Sequence, residues 1–207
     1  MRIVEQGWTW HILPPSYRDM VFAIAGAARN CYQSDIKPLD EEENFIQKLI
    51  KRGHLSPLEH INLSLRFRTD RGVLAELTRH RLSSFSVEST RFVKYTDEVE
   101  FIKPVWYYNI DYDLLKTTEY ELWKVACEQS EKYYKKLIFE YKAQPQQARQ
   151  VLNMSLKTDV VMTSNIRQWR LILQQRTAKD AHPQMVELMT SILKTFQREF
   201  PVFFEDI

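Results

Sequence analysis

With 207 residues, 44% of them hydrophobic, and a formal charge of +2, the chain can bury a core within one domain but is too near neutrality to hold nucleic acid by bulk charge. Its two cysteines, Cys31 and Cys127, form neither a CxxC nor a zinc pattern, so a reducing compartment and ordinary thiols are expected. Residues 1–10 lack the apolar stretch of a signal peptide and no run reaches the length of a membrane span, which gives a cytoplasmic expectation with no membrane partner.

In chain order, Ser16 can cap a helix running to about Asn30, with Met20, Val21, Ile24 and Ala27 on one stripe. A second helix from about Glu41 carries Phe45, Leu49 and Ile50 and stops at Gly53. Residues 60–68 then alternate, Ile61, Leu63, Leu65 and Phe67 facing one way and Asn62, Ser64, Arg66 and Arg68 the other, as in a strand with one buried face. Asp70 can cap a helix that takes Val73, Leu74 and Leu77 inward and delivers Arg79, His80 and Arg81 where helix gives way to loop. Residues 97–113 read as an irregular or partly extended connection. A long helix over about 118–141 follows, with Tyr133, Tyr134 and Leu137 in the core or a subunit contact. Pro145 starts a helix carrying Arg149 and Val151. Val160, Val161 and Met162 form a short strand, and Thr163 or Ser164 caps a helix over 165–175. The last helix begins near Pro183 and spaces Met185, Leu188, Met189, Ile192, Leu193 and Phe196 helically.

The chemistry concentrates in residues 79–91, Arg-His-Arg-Leu-Ser-Ser-Phe-Ser-Val-Glu-Ser-Thr-Arg, where three arginines interleave with hydroxyls. Guanidinium groups make bidentate, charge-assisted bonds to phosphate oxygens, and hydroxyls satisfy the remaining lone pairs. Read without further context, the same cluster also fits a solvated basic helix end. Glycine occurs only at positions 7, 26, 53 and 72, with no GxGxxG or Walker loop, so any phosphate must be held by side chains. His54 and His60, with Glu59 beside the second, do not have the HExxH spacing and no third ligand accompanies them, so no metal is expected.

Arg79, His80, Arg81 and Ser89 occupy the four positions of the Arg-His-Arg, seven residues, Ser pattern, with Arg91 on a fifth. His54-Leu-Ser-Pro-Leu-Glu-His60, Ala148-Arg149 and the segment from Asn165 to Arg176 follow the same family's order, and together the chain resembles the flavin-dependent thymidylate synthases over about residues 20–200. The resemblance implies an α/β fold of the α+β type, one domain over 1–207 with a central, mostly antiparallel sheet flanked by helices. It implies methylation of dUMP to dTMP with methylenetetrahydrofolate as carbon donor, FAD as redox carrier and NADPH as reductant, in a homotetramer whose subunits share active sites. By position, His54, Ser56, Glu59, Arg79, His80, Arg81 and Asn165 look like flavin-site residues. Glu76, Arg79, Glu88, Ser89, Arg91 and Arg149 look like contacts to dUMP, and Arg176 matches the arginine that activates the pyrimidine. Neither cysteine has the local setting of a nucleophile, which agrees with a flavin route that needs no thiolate.

Glu76 stands where glutamine is often found, Val87 where Gln or Glu is usual, Phe92 where Tyr is common, and Asp180 where some members have His. A carboxylate at 76 would welcome a ring amino group, which makes methylation or hydroxymethylation of dCMP an alternative. A non-catalytic protein that binds nucleotide or nucleic acid is a second one.

Overall fold

The computed structural model describes residues 1–108 and 119–207. Their elements are β1 (Arg2–Val4), β2 (Gly7–Ile12), α1 (Tyr17–Asn30), α2 (Leu39–Lys51), a 3₁₀ turn (Ser56–His60), β3 (Asn62–Asp70), α3 (Arg71–Leu77), β4 (Ser84–Val87) and β5 (Glu100–Ile102). After a short turn (Val105–Tyr107) come α4 (Glu119–Phe139), α5 (Pro145–Ala148), a turn (Arg149–Val151), β6 (Lys157–Asn165), α6 (Ile166–Arg176), α7 (Pro183–Glu199) and α8 (Pro201–Phe204). One sheet has the order β2-β3-β6-β4; β1 and β5 form a separate parallel pair with Arg2 opposite Glu100. The architecture is the expected mixed one, an antiparallel sheet flanked by helices. No helix among the described residues is long and apolar enough to cross a membrane.

The chain separates into two compact units. Unit one comprises residues 1–7, 67–79 and 86–160, and unit two residues 8–66, 80–85 and 161–207. The boundary therefore falls inside the Arg-His-Arg triplet, and β3, β4 and β6 each run from one unit into the other. In unit one, Val99, Phe101, Cys127, Tyr134, Ile138, Ala148 and Leu156 form a buried cluster, with Tyr95 and Trp123 packed against it. In unit two the core is aromatic: Phe196 meets Trp169 at 5.7 Å and Phe204 at 4.9 Å between ring centroids. The Trp169 indole N–H is satisfied by the carbonyl of Leu63 at 3.0 Å, as burial of that donor requires.

Ser16 caps α1 as expected, its Oγ accepting from the Asp19 N–H at 3.2 Å. Met20, Val21 and Ile24 are buried with Ala25 and Ala28; Ala27 is only half-buried. In α2 Leu49 is buried as expected, together with Glu42 and Ile46, whereas Phe45 and Ile50 are half-buried. Gly53 ends this segment at φ 74, the left-handed conformation that glycine adopts without Cβ cost. The alternation in β3 holds for Leu63, Leu65 and Phe67, but Ser64 is buried too, since its hydroxyl bonds that of Thr163 at 2.8 Å. Asp70 caps α3 at 2.7 Å from the Val73 N–H; Val73 and Leu77 are buried and Leu74 half so.

Further differences are local. The strand expected at 160–162 extends over nine residues, and its inward face carries Thr158, Val160, Met162 and Ser164. That orientation denies Ser164 the capping role. Its Oγ donates to the carbonyl of Leu82 at 3.1 Å, while Asn165 caps α6 by accepting from the Gln168 N–H at 2.8 Å. Strands β1, β2 and β4 were not foreseen. In the connection read as irregular or partly extended, residues 100–102 are extended as β5, and 109–113 lie outside the described residues, as does Thr118 of the long helix. Tyr134 enters the core, whereas Tyr133 and its ring are exposed.

The carboxylate of Glu42 is fully buried and accepts from Arg29 Nε at 2.7 Å and from the Lys37 N–H at 2.5 Å. Arg29→Ala would strand that charge, and a loss of about 3 kcal/mol is expected, read as a lower urea midpoint at unchanged slope. Glu42→Gln, which removes the charge with its partner still present, is expected to cost less in the same titration.

Candidate functional site

In unit one, the segment after β4 is positioned through Glu88. Its N–H donates to the carbonyl of Asp159 at 2.9 Å, its carboxylate accepts from the Tyr95 hydroxyl at 2.5 Å and from Lys157 Nζ at 3.0 Å, and its carbonyl accepts from Arg71 Nη2 at 3.3 Å. Burial and the Glu88 carboxylate push the Tyr95 phenol up, so it remains a donor. Burial acts to lower the Lys157 ammonium, but bonds to Asp159 and Glu88 outweigh it and raise it. With Glu88 fixed, the next residues form a tight turn. Ser89 Oγ accepts from the Arg91 N–H at 3.3 Å, and the Ser89 carbonyl accepts from Phe92 and Val93 at 3.2 and 2.9 Å. Arg91 is exposed, its guanidinium 5.4 Å from the Phe92 ring centroid.

Arg149 reaches the same segment from the turn that follows α5. Pro145 and the reciprocal Gln144–Gln147 capping bonds set that short helix, and Ser130 of α4 holds its exit, donating to the carbonyl of Val151 at 2.7 Å. Arg149 Nη1 donates to Thr90 Oγ1 at 3.1 Å. A pocket of about 280 Å³ lies here, lined by Arg71, Thr90, Arg149, Gln150, Asn153 and apolar side chains, with no carboxylate in its wall. Another pocket of unit one, about 290 Å³, is lined by Arg2, Tyr95, Asp97, Glu98, Glu100 and Lys157. Its three carboxylates make it unsuited to an anion. Glu76 is half-buried on α3, where its carbonyl accepts from the N–H of Arg79 at 3.2 Å; the Arg79 side chain is exposed.

In unit two, His80 is 6% exposed and its Nε2 accepts from Arg176 Nε at 3.0 Å. Arginine can only donate, so Nε2 is the unprotonated nitrogen and Nδ1 carries the proton. Burial first, and then the Arg176 charge, lower the His80 imidazole to about 4. Leu82 and Ser83, just beyond the triplet, are tied to Ser164, with Ser83 Oγ 3.0 Å from Ser164 Oγ. Arg81 is exposed.

Glu59 and Asn165 line one pocket of about 530 Å³ with Arg167, Gln168, Gln174 and the apolar walls Leu55, Leu82 and Leu171. Glu59 pairs with Arg167 at 2.6 Å. His54 and Ser56 are exposed nearby in sequence and are not among the lining residues. The structure thus brings two of the expected flavin residues into one pocket, and sets His80 against Arg176 instead. Sequence reasoning passed over Arg167, Arg170, Leu171 and Gln174, whose i, i+3, i+4, i+7 spacing on α6 marks a single helix face. It also passed over Arg71, Gln150 and Asn153, which lie outside the quoted motifs. Cys127 is buried, and burial pushes its thiol up to about 11. The described residues contain no cluster able to hold a metal ion.

Residues 16–202 match the family described as Thymidylate synthase complementing protein. The chain is 31% identical over 189 residues to a probable flavin-dependent thymidylate synthase of Mycobacterium phage D29, covering 87% of this chain and 80% of the relative. It is 31% identical over 193 residues to the flavin-dependent thymidylate synthase of Corynebacterium aurimucosum, covering 87% and 77%. In fold it is similar to thymidylate synthase X of Helicobacter pylori, solved with FAD and dUMP, at 22% identity and a TM-score of 0.75 over 97% of this chain and 98% of the other.

The His80 pairing has a pH signature. Between its ordinary value of 6.5 and about 4 the unfolded chain takes up a proton that the folded chain refuses. Stability due to this group is therefore present above pH 6.5 and is lost as pH falls toward 4, by up to about 3 kcal/mol. Urea titrations at pH 7 and pH 5 are expected to show a smaller difference for His80→Gln than for the parent chain.

Proposed function

The chain belongs to the flavin-dependent thymidylate synthase family, and we propose that it reductively methylates dUMP to dTMP with methylenetetrahydrofolate as carbon donor and NADPH as reductant. The observation that carries the nucleotide part is the unit-one pocket in which Arg149 and Arg71 face neutral groups and no carboxylate. That is the electrostatic requirement for a phosphate in a chain without a glycine-rich loop.

Arg149, Ser89 and Arg91 bind the nucleotide, with Arg79 and Glu76 at its edge. Glu88, both of whose carboxylate oxygens are engaged, contributes by holding Ser89 in place. Arg176 stabilises negative charge on the pyrimidine, favouring the N3-ionised form and raising electron density at C5. His80, uncharged at neutral pH, orients that guanidinium without neutralising it. The unit-two pocket fits part of a flavin, with a volume of about 530 Å³, leucine walls and the amides of Asn165, Gln168 and Gln174. Asn165 and Glu59, with His54, Ser56, Arg79, His80 and Arg81, would hold FAD. When bound and reduced at the expense of NADPH, the flavin would supply the hydride that reduces the transferred one-carbon unit. Cys127, protonated at neutral pH, supports a route with no thiolate nucleophile. The reading includes one domain per chain, no metal, and active sites shared among the subunits of a cytoplasmic homotetramer.

An anaerobic assay of the purified protein with FAD, NADPH and methylenetetrahydrofolate, offering dUMP and dCMP together, tests the reading. Mass spectrometry is expected to find dTMP alone. Arg176→Ala is expected to lower turnover by about a hundredfold or more while Cys127→Ala, per folded protein, retains it. A modified dCMP would overturn the substrate assignment, and a flavin-loaded protein that forms no product would overturn the catalytic one.

A further inference from the structure

We propose that Arg71 is a second phosphate-binding arginine, acting beside Arg149 in the unit-one pocket. The inference rests on the nucleotide reading above and adds a residue that lies outside every motif carrying that reading. Arg71 opens α3 directly after its Asp70 cap, and its N–H is fixed by the carbonyl of Met154 at 3.0 Å. Its side chain lines the pocket together with Arg149 and Thr90.

Among the described residues the guanidinium is held by neutral groups. It donates to the Glu88 carbonyl at 3.3 Å and also lies beside the Tyr95 hydroxyl. Among the described residues neither Arg71 nor Arg149 has a carboxylate within ion-pair distance. Two guanidinium groups lining one pocket whose wall holds no carboxylate repel each other, and a bound dianion relieves that repulsion. A guanidinium has more N–H donors than these contacts use, so further bonds to phosphate oxygens remain open to both arginines. The pocket is also small: at about 280 Å³ it suits a monophosphate and its sugar better than a longer polyphosphate. Arg71 therefore selects for the terminal phosphate of a nucleoside monophosphate. The Glu88 carbonyl couples this cation to the turn at Ser89, so both sides of the phosphate site are set by one residue.

The test is calorimetric titration of the flavin-loaded protein with dUMP and with deoxyuridine, for the parent chain, Arg71→Ala and Arg71→Lys, each checked by thermal melting. Arg71→Ala is expected to weaken dUMP binding about tenfold or more and leave deoxyuridine unchanged, with Arg71→Lys in between. A merely structural role would weaken both ligands together, and that result, or no effect on either, would overturn the assignment. If the parent chain bound no dUMP, the nucleotide reading would fall by itself. Inorganic phosphate would then decide Arg71, since binding that Arg71→Ala abolishes would sustain it and binding indifferent to the substitution would overturn it.

Discussion

A guanidinium with no carboxylate beside it keeps its charge available to a ligand, and the arginines of this chain divide on that point. Arg29, Arg167 and Arg170 are spent on carboxylates: Glu42, Glu59 and, through two bonds of 2.7 Å, Asp206. Arg149 and Arg71 are oriented instead by the Thr90 hydroxyl and the Glu88 carbonyl, which fix direction without cancelling charge. Because the chain has no glycine-rich cradle, the proposed phosphate binding depends on this second way of holding an arginine.

The rest of unit one serves that arrangement. Lys157 and Tyr95 engage the Glu88 carboxylate, and the N–H of Glu88 is tied to β6, which fixes the one acidic side chain inside the segment. Ser130 of α4 and the capped turn of α5 fix Arg149 from the other side. In unit two a neutral histidine lies beside an arginine. Burial and a neighbouring cation keep His80 neutral, and a neutral imidazole can accept from Arg176 where an imidazolium would repel it.

Much of this was legible in the sequence because it is local. The Ser16 and Asp70 caps, the stop at Gly53 and the alternation of β3 each follow from residues a few positions apart. What was not legible depends on partners far along the chain. Ser164 has the chemistry of a cap, but strand parity turns it inward toward Leu82 and Ser83, and the cap passes to Asn165. Strand β4 was hidden in a run of serines whose polarity reads as loop, and it exists because β6 offers it a ladder. The site divides the same way. The motif exposed Arg149, Ser89 and Arg91, whereas Arg71 gains its meaning only from the fold that brings Met154, Glu88 and Thr90 around it.

The central claim, that uncompensated arginines of unit one hold a phosphate dianion, can be read from the phosphate itself. Phosphorus NMR of dUMP bound to the flavin-loaded protein, followed against pH, reports the second ionisation of that group, which lies at about 6 when free. Opposite charge at close range favours the dianion, so the account predicts a bound value clearly below the free one, restored toward it by Arg149→Ala. A bound phosphate that titrated as it does in water would contradict the account.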